Sequence, residues 1–171
     1  MPNSLTFEME KDLLIKGWMS HDVRWFMAVA NRFGMDAANQ LNQMVCREIG
    51  RVEMKRYMKT LAISPVKSLE EYLILQKAAI SLYGPDLIKY EIKTVDRQSY
   101  EMHIKRCFAY ENIMRAGIED RCECGILARI QGWIDAQGLK HELKPSLGKC
   151  MMVLGKECSY TIRLKFDPLE G

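Results

Sequence analysis

The chain has 171 residues, enough for a domain that buries roughly two-thirds of its unfolded surface, so folding requires neither a metal nor a disulfide. Apolar residues make up 48% of it and charged residues 27%, and 25 basic against 22 acidic side chains leave a net charge of +3 with the signs mixed along the chain. This balance excludes a polybasic nucleic-acid surface, and no apolar run reaches the ~20 residues of a membrane span. The opening segment carries Glu8, Glu10 and Asp12 and no apolar stretch of signal length, so the expected location is cytoplasmic and the six cysteines are expected to be reduced. Reduced cysteines serve as small buried hydrophobes, metal ligands or redox thiols.

The first half reads as helices. Residues 7 to 17 form a short amphipathic segment. Ser20 is placed as the N-cap of a second helix, with Asp22 in its first turn and Gly34 as its stop. A long helix from Asp36 to about Thr60 carries Leu41, Val45, Ile49, Val52 and Met58 at three- and four-residue spacing. Its opposite face bears Arg47, Arg51, Lys55, Arg56 and Lys59 and reads as a solvated surface. Ser68 caps another helix, with Glu70 and Glu71 in its first turn. Gly84 to Asp86 is the expected boundary between a helical region, 1–84, and an α+β cysteine-containing region, 85–171, the two together forming one compact domain.

Ser20-His21-Asp22 is neither a catalytic triad, whose members converge from separate places, nor a metal phosphohydrolase doublet, since only His103 and His141 remain as further histidines. A helix start at Ser20 sets His21, with Trp25 near it, at a candidate pocket edge.

The second half reads as sheet and cysteines. Ile88, Tyr90 and Ile92 alternate with charged residues, Asp96-Arg97-Gln98 turns, and Tyr100, Met102 and Ile104 return as the second strand of a hairpin. His103 falls on its polar face. Helices follow over 108–116, stopped by Gly117, and over about 126–134, ended by Gly138. Tyr160, Ile162, Leu164 and Phe166 mark a last strand, with Gly155-Lys156 read as the turn of a final hairpin. In that hairpin Cys150 and Cys158 compete, because its register decides whether they share a face. The fold class is therefore α+β: N-terminal helices packed on an antiparallel sheet, with two further helices inserted between its hairpins.

Cys107, Cys122, Cys124, Cys150 and Cys158 all fall at element ends, flanked by Lys105, Arg106, Arg121, Lys149 and Lys156. Soft thiolate ligands gathered from separate elements are what a zinc or iron site needs. The Cys122-x-Cys124 pair faces one ion only where the segment is not helical. Cys46, in the apolar phase of the long helix, is assigned to packing. The twelve methionines are read as core filler, with an adaptable ligand-sensing pocket as the alternative.

The segment GWMSHDVRWFMAVANRFGMDAANQLNQMVCREIGRVEMKRYMKTL resembles a family of prokaryotic proteins grouped with L-2-amino-thiazoline-4-carboxylate hydrolase-like proteins. It shares their Gly-Trp…Asp…Trp-Phe opening and Gly-Arg-x-Glu-x-Lys-Arg helix. The C-terminal layout is similar to the 4-vinyl reductase small-molecule-binding domain. The resemblance implies an α+β fold and a cysteine-based site containing Cys107, Cys122 or Cys124, and Cys158. The expectation is a zinc- or iron-binding protein with a small-molecule pocket. The alternatives are a hydrolase of a small cyclic amide or thiazoline carboxylic acid, or a metal-free ligand-sensing or interaction module. A homodimer is compatible with the exposed helix faces and hairpin edges.

Overall fold

The structure, a computed structural model, describes residues 4–83 and 87–166. The expected boundary at Gly84–Asp86 lies outside the described residues. The chain divides into two compact units, Met1–Gln40 and Leu41–Gly171.

In the first unit, α1 (Phe7–Phe33) is a single 27-residue helix. Thr6 caps it by accepting the Met9 amide at 3.3 Å, and Glu8 and Glu10 complement the dipole in the first turn. The break expected at Ser20 is absent. Gly17 and Ser20 sit in the helix interior, where neither residue forces a stop. Gly34, with φ at +90°, ends the helix as expected. None of the α1 residues is buried. Among the described residues no helix is long and apolar enough to cross a membrane.

The helix α2 (Met35–Leu61) runs on into the second unit, which adds α3 (Leu69–Ser81), β1 (Ile88–Thr94), β2 (Ser99–Cys107), α4 (Phe108–Ala116), α5 (Ile126–Asp135), β3 (Lys140–Lys144) and β4 (Cys158–Lys165). The strands form one antiparallel sheet in the order β1-β2-β4-β3. The architecture is α+β, and α4 and α5 are inserted between the two hairpins as expected. Ser68 caps α3 by accepting the Glu71 amide, and Gly117 stops α4 in the left-handed conformation. One face of the sheet is apolar at every second residue. Tyr100, Met102, Ile104, Cys158, Tyr160, Ile162 and Leu164 meet Met54 of α2, Tyr72 and Leu75 of α3 and Leu127, Ile130 and Ile134 of α5 in a single core.

Two expectations are corrected. The basic face of α2 is not simply solvated, because Arg47 and Arg51 reach Asp135 of α5 at 2.6 and 2.9 Å. The helices cross so closely that a Cβ on Gly132 would lie 2.0 Å from the Arg47 carbonyl oxygen, and one on Gly50 2.2 Å from that of Arg129. Glu53 completes the clamp, accepting from Arg129, the Trp133 indole at 3.1 Å and the Tyr83 hydroxyl at 3.1 Å. The Gly-Arg-x-Glu segment therefore works as a helix-crossing motif.

The last hairpin also differs. The partner of β4 is β3, paired from Lys140↔Lys165 to Lys144↔Thr161, so residues 145–157 form a long connection. Met151 to Leu154 are apolar but folded in turns: Leu154 donates to the Cys150 carbonyl and Lys156 to that of Met151, with Gly155 at φ +67°. An apolar run followed by Gly-Lys has the composition of a hairpin without its geometry.

Candidate functional site

This removal of the expected hairpin frees Cys150 from any register competition with Cys158. Cys150 instead follows an isolated antiparallel bridge between Glu123 and Lys149. The Cys124 amide donates to the Gly148 carbonyl at 2.8 Å on one side of the bridge. Extending the register one residue the other way sets Cys122 opposite Cys150. Side chains alternate along extended backbone and paired residues share a face, so a ladder continued through these residues would set Cys122, Cys124 and Cys150 on the face opposite Glu123. Glu123 accepts a hydrogen bond from Gln43 at 2.9 Å. The Cys-x-Cys segment lies ahead of α5 and is not helical.

Cys107 ends β2 and occupies the N-cap position of α4, while Cys124 stands just ahead of α5. Cys158 opens β4 opposite Ile104. Cys107, Cys122 and Cys158 are buried, and Cys124 and Cys150 are half-buried. The thiols sense one another. Burial raises the pKa of Cys107, and Cys150 adds to the rise, while the amides of Tyr110 and Ala109 at the start of α4 oppose it. Burial and Cys150 raise Cys122. Cys124 is pushed up to about 12 by burial and by Cys107, Cys158 and Cys150, against the Leu127 amide of α5. Cys158 is pushed up to about 12 by burial, Cys107 and Cys150. Cys150 is thus the common neighbour of Cys107, Cys122, Cys124 and Cys158, whereas Cys122 and Cys124 do not influence one another. Among the described residues no group of three or more His, Cys, Asp and Glu side chains is placed so that it could hold a metal ion.

Cys46 packs as expected. Its sulfur would lie 2.9 Å from a Cβ on Gly125, and its thiol donates to Asn42 at 3.6 Å. His21 and Trp25 lie on α1 well inside the helix, both exposed, so the helix start that placed them at a pocket edge does not exist.

A cleft of about 290 Å³ opens beside Cys158. Its lining includes His103 and Lys105 of β2, Tyr110 of α4, Met152 and Lys156 of the long connection, and Cys158. Lys105 is the extra residue of a β-bulge, since Lys89 pairs with Arg106 and Tyr90 with Ile104. A bulge re-aims a side chain and is common beside functional sites. The sequence pattern missed this cleft, because bulge and long connection both interrupt the alternation that it follows. Ser159 Oγ lies 3.4 Å from His103 Nε2, but Glu101 approaches the same ring nitrogen at 3.7 Å. A hydrolytic relay needs the acid on the other nitrogen.

Comparison with known proteins adds a fold and a family. A solved structure described as a trafficking protein particle complex subunit 3 from Naegleria fowleri, covalently bound to palmitic acid, is similar with a TM-score of 0.60 and 14% identity, over 94% of this chain and 99% of that one. At that identity the likeness is one of fold. No curated protein matches the sequence. The model of a family of unknown function, DUF6125, matches residues 7–147, a span that takes in Cys107, Cys122 and Cys124 and stops before Cys150 and Cys158. The chain belongs to the DUF6125 family.

Proposed function

We propose that this protein binds a metal, with ligands for zinc or iron drawn from Cys107, Cys122, Cys124, Cys150 and Cys158, beside a cleft that takes a small molecule. The observation that carries this reading is the Glu123–Lys149 bridge, which joins the Cys122–Cys124 segment to the chain leading into Cys150. Cys107 and Cys158 arrive from the adjoining ends of β2 and β4. Thiolate sulfur is the preferred donor for zinc and iron, and four ligands complete a closed site. The mutual destabilisation of the thiolates is what a cation at their centre reverses. The amides of Ala109, Tyr110 and Leu127 supply the outer hydrogen bonding that tunes such ligands. Cys158 also lines the cleft, so its engagement decides whether the ion is closed off or keeps a position open to the bound molecule. Metal analysis of protein purified without chelators or a metal-affinity column tests the reading. About one zinc or iron per chain supports it, and metal-free protein refutes it.

A second reading draws on the structural neighbour, which is described as covalently bound to palmitic acid. Here one cluster thiol accepts an acyl group from an acyl thioester, forming a new thioester and releasing the donor thiol. Intact mass before and after hydroxylamine separates the two: an acyl mass lost on treatment supports acylation, and an unchanged thiol mass removes it.

A further inference from the structure

Helix α1 carries an exposed apolar stripe with an internal symmetry. At 100° per residue Phe7, Leu14, Trp18 and Trp25 fall within about 40° of one another, on a face opposite Lys16. Phe7, Leu14 and Trp25 are 75%, 75% and 66% exposed, and Trp18 is 37% exposed. The better-covered side chains, including Ile15, Met19 and Phe26, lie on another face. The stripe is centred on Lys16: Phe7 and Trp25 stand equally far on either side of it, as do Leu14 and Trp18. A second copy laid antiparallel with its Lys16 at the same level sets Phe7 against Trp25 and Leu14 against Trp18, each pair occurring twice. That is the self-complementary pattern a two-fold interface requires.

The flanking charges obey the same symmetry. Lys11 and Asp22 lie on one side of the stripe at levels that exchange in the antiparallel arrangement, so Lys11 meets Asp22 of the second copy. On the other side Glu10 meets the level of His21 and Arg24. At these exposures the four anchors offer about 500 Å² per copy, or ~1,000 Å² for the pair, where specific interfaces begin.

We propose that α1 is a homodimer interface, with a second copy of this chain antiparallel along the Phe7–Leu14–Trp18–Trp25 stripe. Sedimentation of the full chain between about 1 and 100 µM, a range spanning ordinary dimer affinities, tests it. The expected result is a dimer, with Trp25→Lys weakening dimerisation at least about tenfold. Lys11→Glu alone also weakens it, and adding Asp22→Lys to that variant restores it, a rescue that a merely structural role for either residue would not give. Circular dichroism confirms that each variant remains helical. A chain that stays monomeric at every concentration, because α1 is covered by its own chain or by a different protein, overturns the proposal. So does a dimer indifferent to Trp25→Lys, or a charge swap without rescue.

Discussion

The amide of Cys124 donates to the carbonyl of Gly148 at 2.8 Å, tying the loop before α5 to the connection before β4. Two segments more than twenty residues apart are thereby joined, with Cys122 and Cys124 on one and Cys150 on the other. Cys150 belongs to this bridge and Cys46 does not, which sets the first prediction. Zinc at a hundredfold its dissociation constant stabilises a protein that binds it only when folded by ~2.7 kcal/mol, or about 5–10 °C in Tm for a chain of this size. Differential scanning fluorimetry of metal-stripped protein is expected to show that rise for the native chain and for Cys46→Ser, and to lose most of it for Cys150→Ser.

Thiol chemistry without metal should follow the raised pKa values. Cys124 and Cys158, both pushed up to about 12 by burial and neighbouring thiols, are protonated at neutral pH. Only the thiolate attacks an alkylating reagent. Iodoacetamide at pH 8, followed by peptide mass spectrometry, is expected to label these two far more slowly in the folded, metal-stripped protein than in urea. Equal rates in the two states would remove the burial argument.

The α2–α5 crossing is expected to be intolerant. Gly132→Ala drives a methyl to 2.0 Å from the Arg47 carbonyl, a backbone atom that cannot swing aside. A loss of about 3 kcal/mol in urea denaturation is expected, at the upper end of ordinary overpacking costs. Glu53→Ala takes the carboxylate from Arg129, whose side chain is only 11% exposed, and is expected to cost a similar ~3 kcal/mol. Gly17→Ala has no atom within 4 Å of the new methyl and should stabilise α1 by ~0.5–1 kcal/mol.

Acid sensitivity should come from Asp135 and His141. Burial pushes Asp135 up, but its hydrogen bonds and charge contacts with Arg47, and the charges of Arg51 and His141, outweigh this and leave its pKa lowered. Burial lowers His141, with Asp135 opposing. Both groups therefore bind protons less readily when folded. Their contribution is complete above the unfolded pKa, ~6.5 for histidine and ~3.9 for aspartate, and is lost as pH falls through the folded values. The urea midpoint is expected to decline from just below pH ~6.5 and again in the carboxylate range. His141→Gln should flatten the upper step and leave the lower one; an unchanged upper step would assign it elsewhere.

Much of the fold was legible because local rules and tertiary packing agree. Ser68, Gly34 and Gly117 act as the caps their chemistry predicts, and the alternation of Tyr100, Met102 and Ile104 is the buried face of β2. Reading failed where two devices share one composition. Ser20 has cap chemistry but lies inside a continuous helix. Gly155-Lys156 has turn chemistry but closes a helical turn. Arg47 and Arg51 look like a solvent face because Asp135, which holds them, is more than eighty residues away. For the site, spacing named the five cysteines, yet only the Glu123–Lys149 bridge shows that the Cys122–Cys124 segment meets the chain before Cys150. Lys105 and Lys156 were seen as flanking charges, and the cleft they line arises from a bulge that leaves no periodic signature.

The most direct test is elemental analysis of the native chain and of Cys150→Ser, both purified without chelators or a metal-affinity column. About one zinc or iron per native chain, and clearly less in a folded Cys150→Ser protein, is the predicted result. A native chain free of both metals would contradict the account.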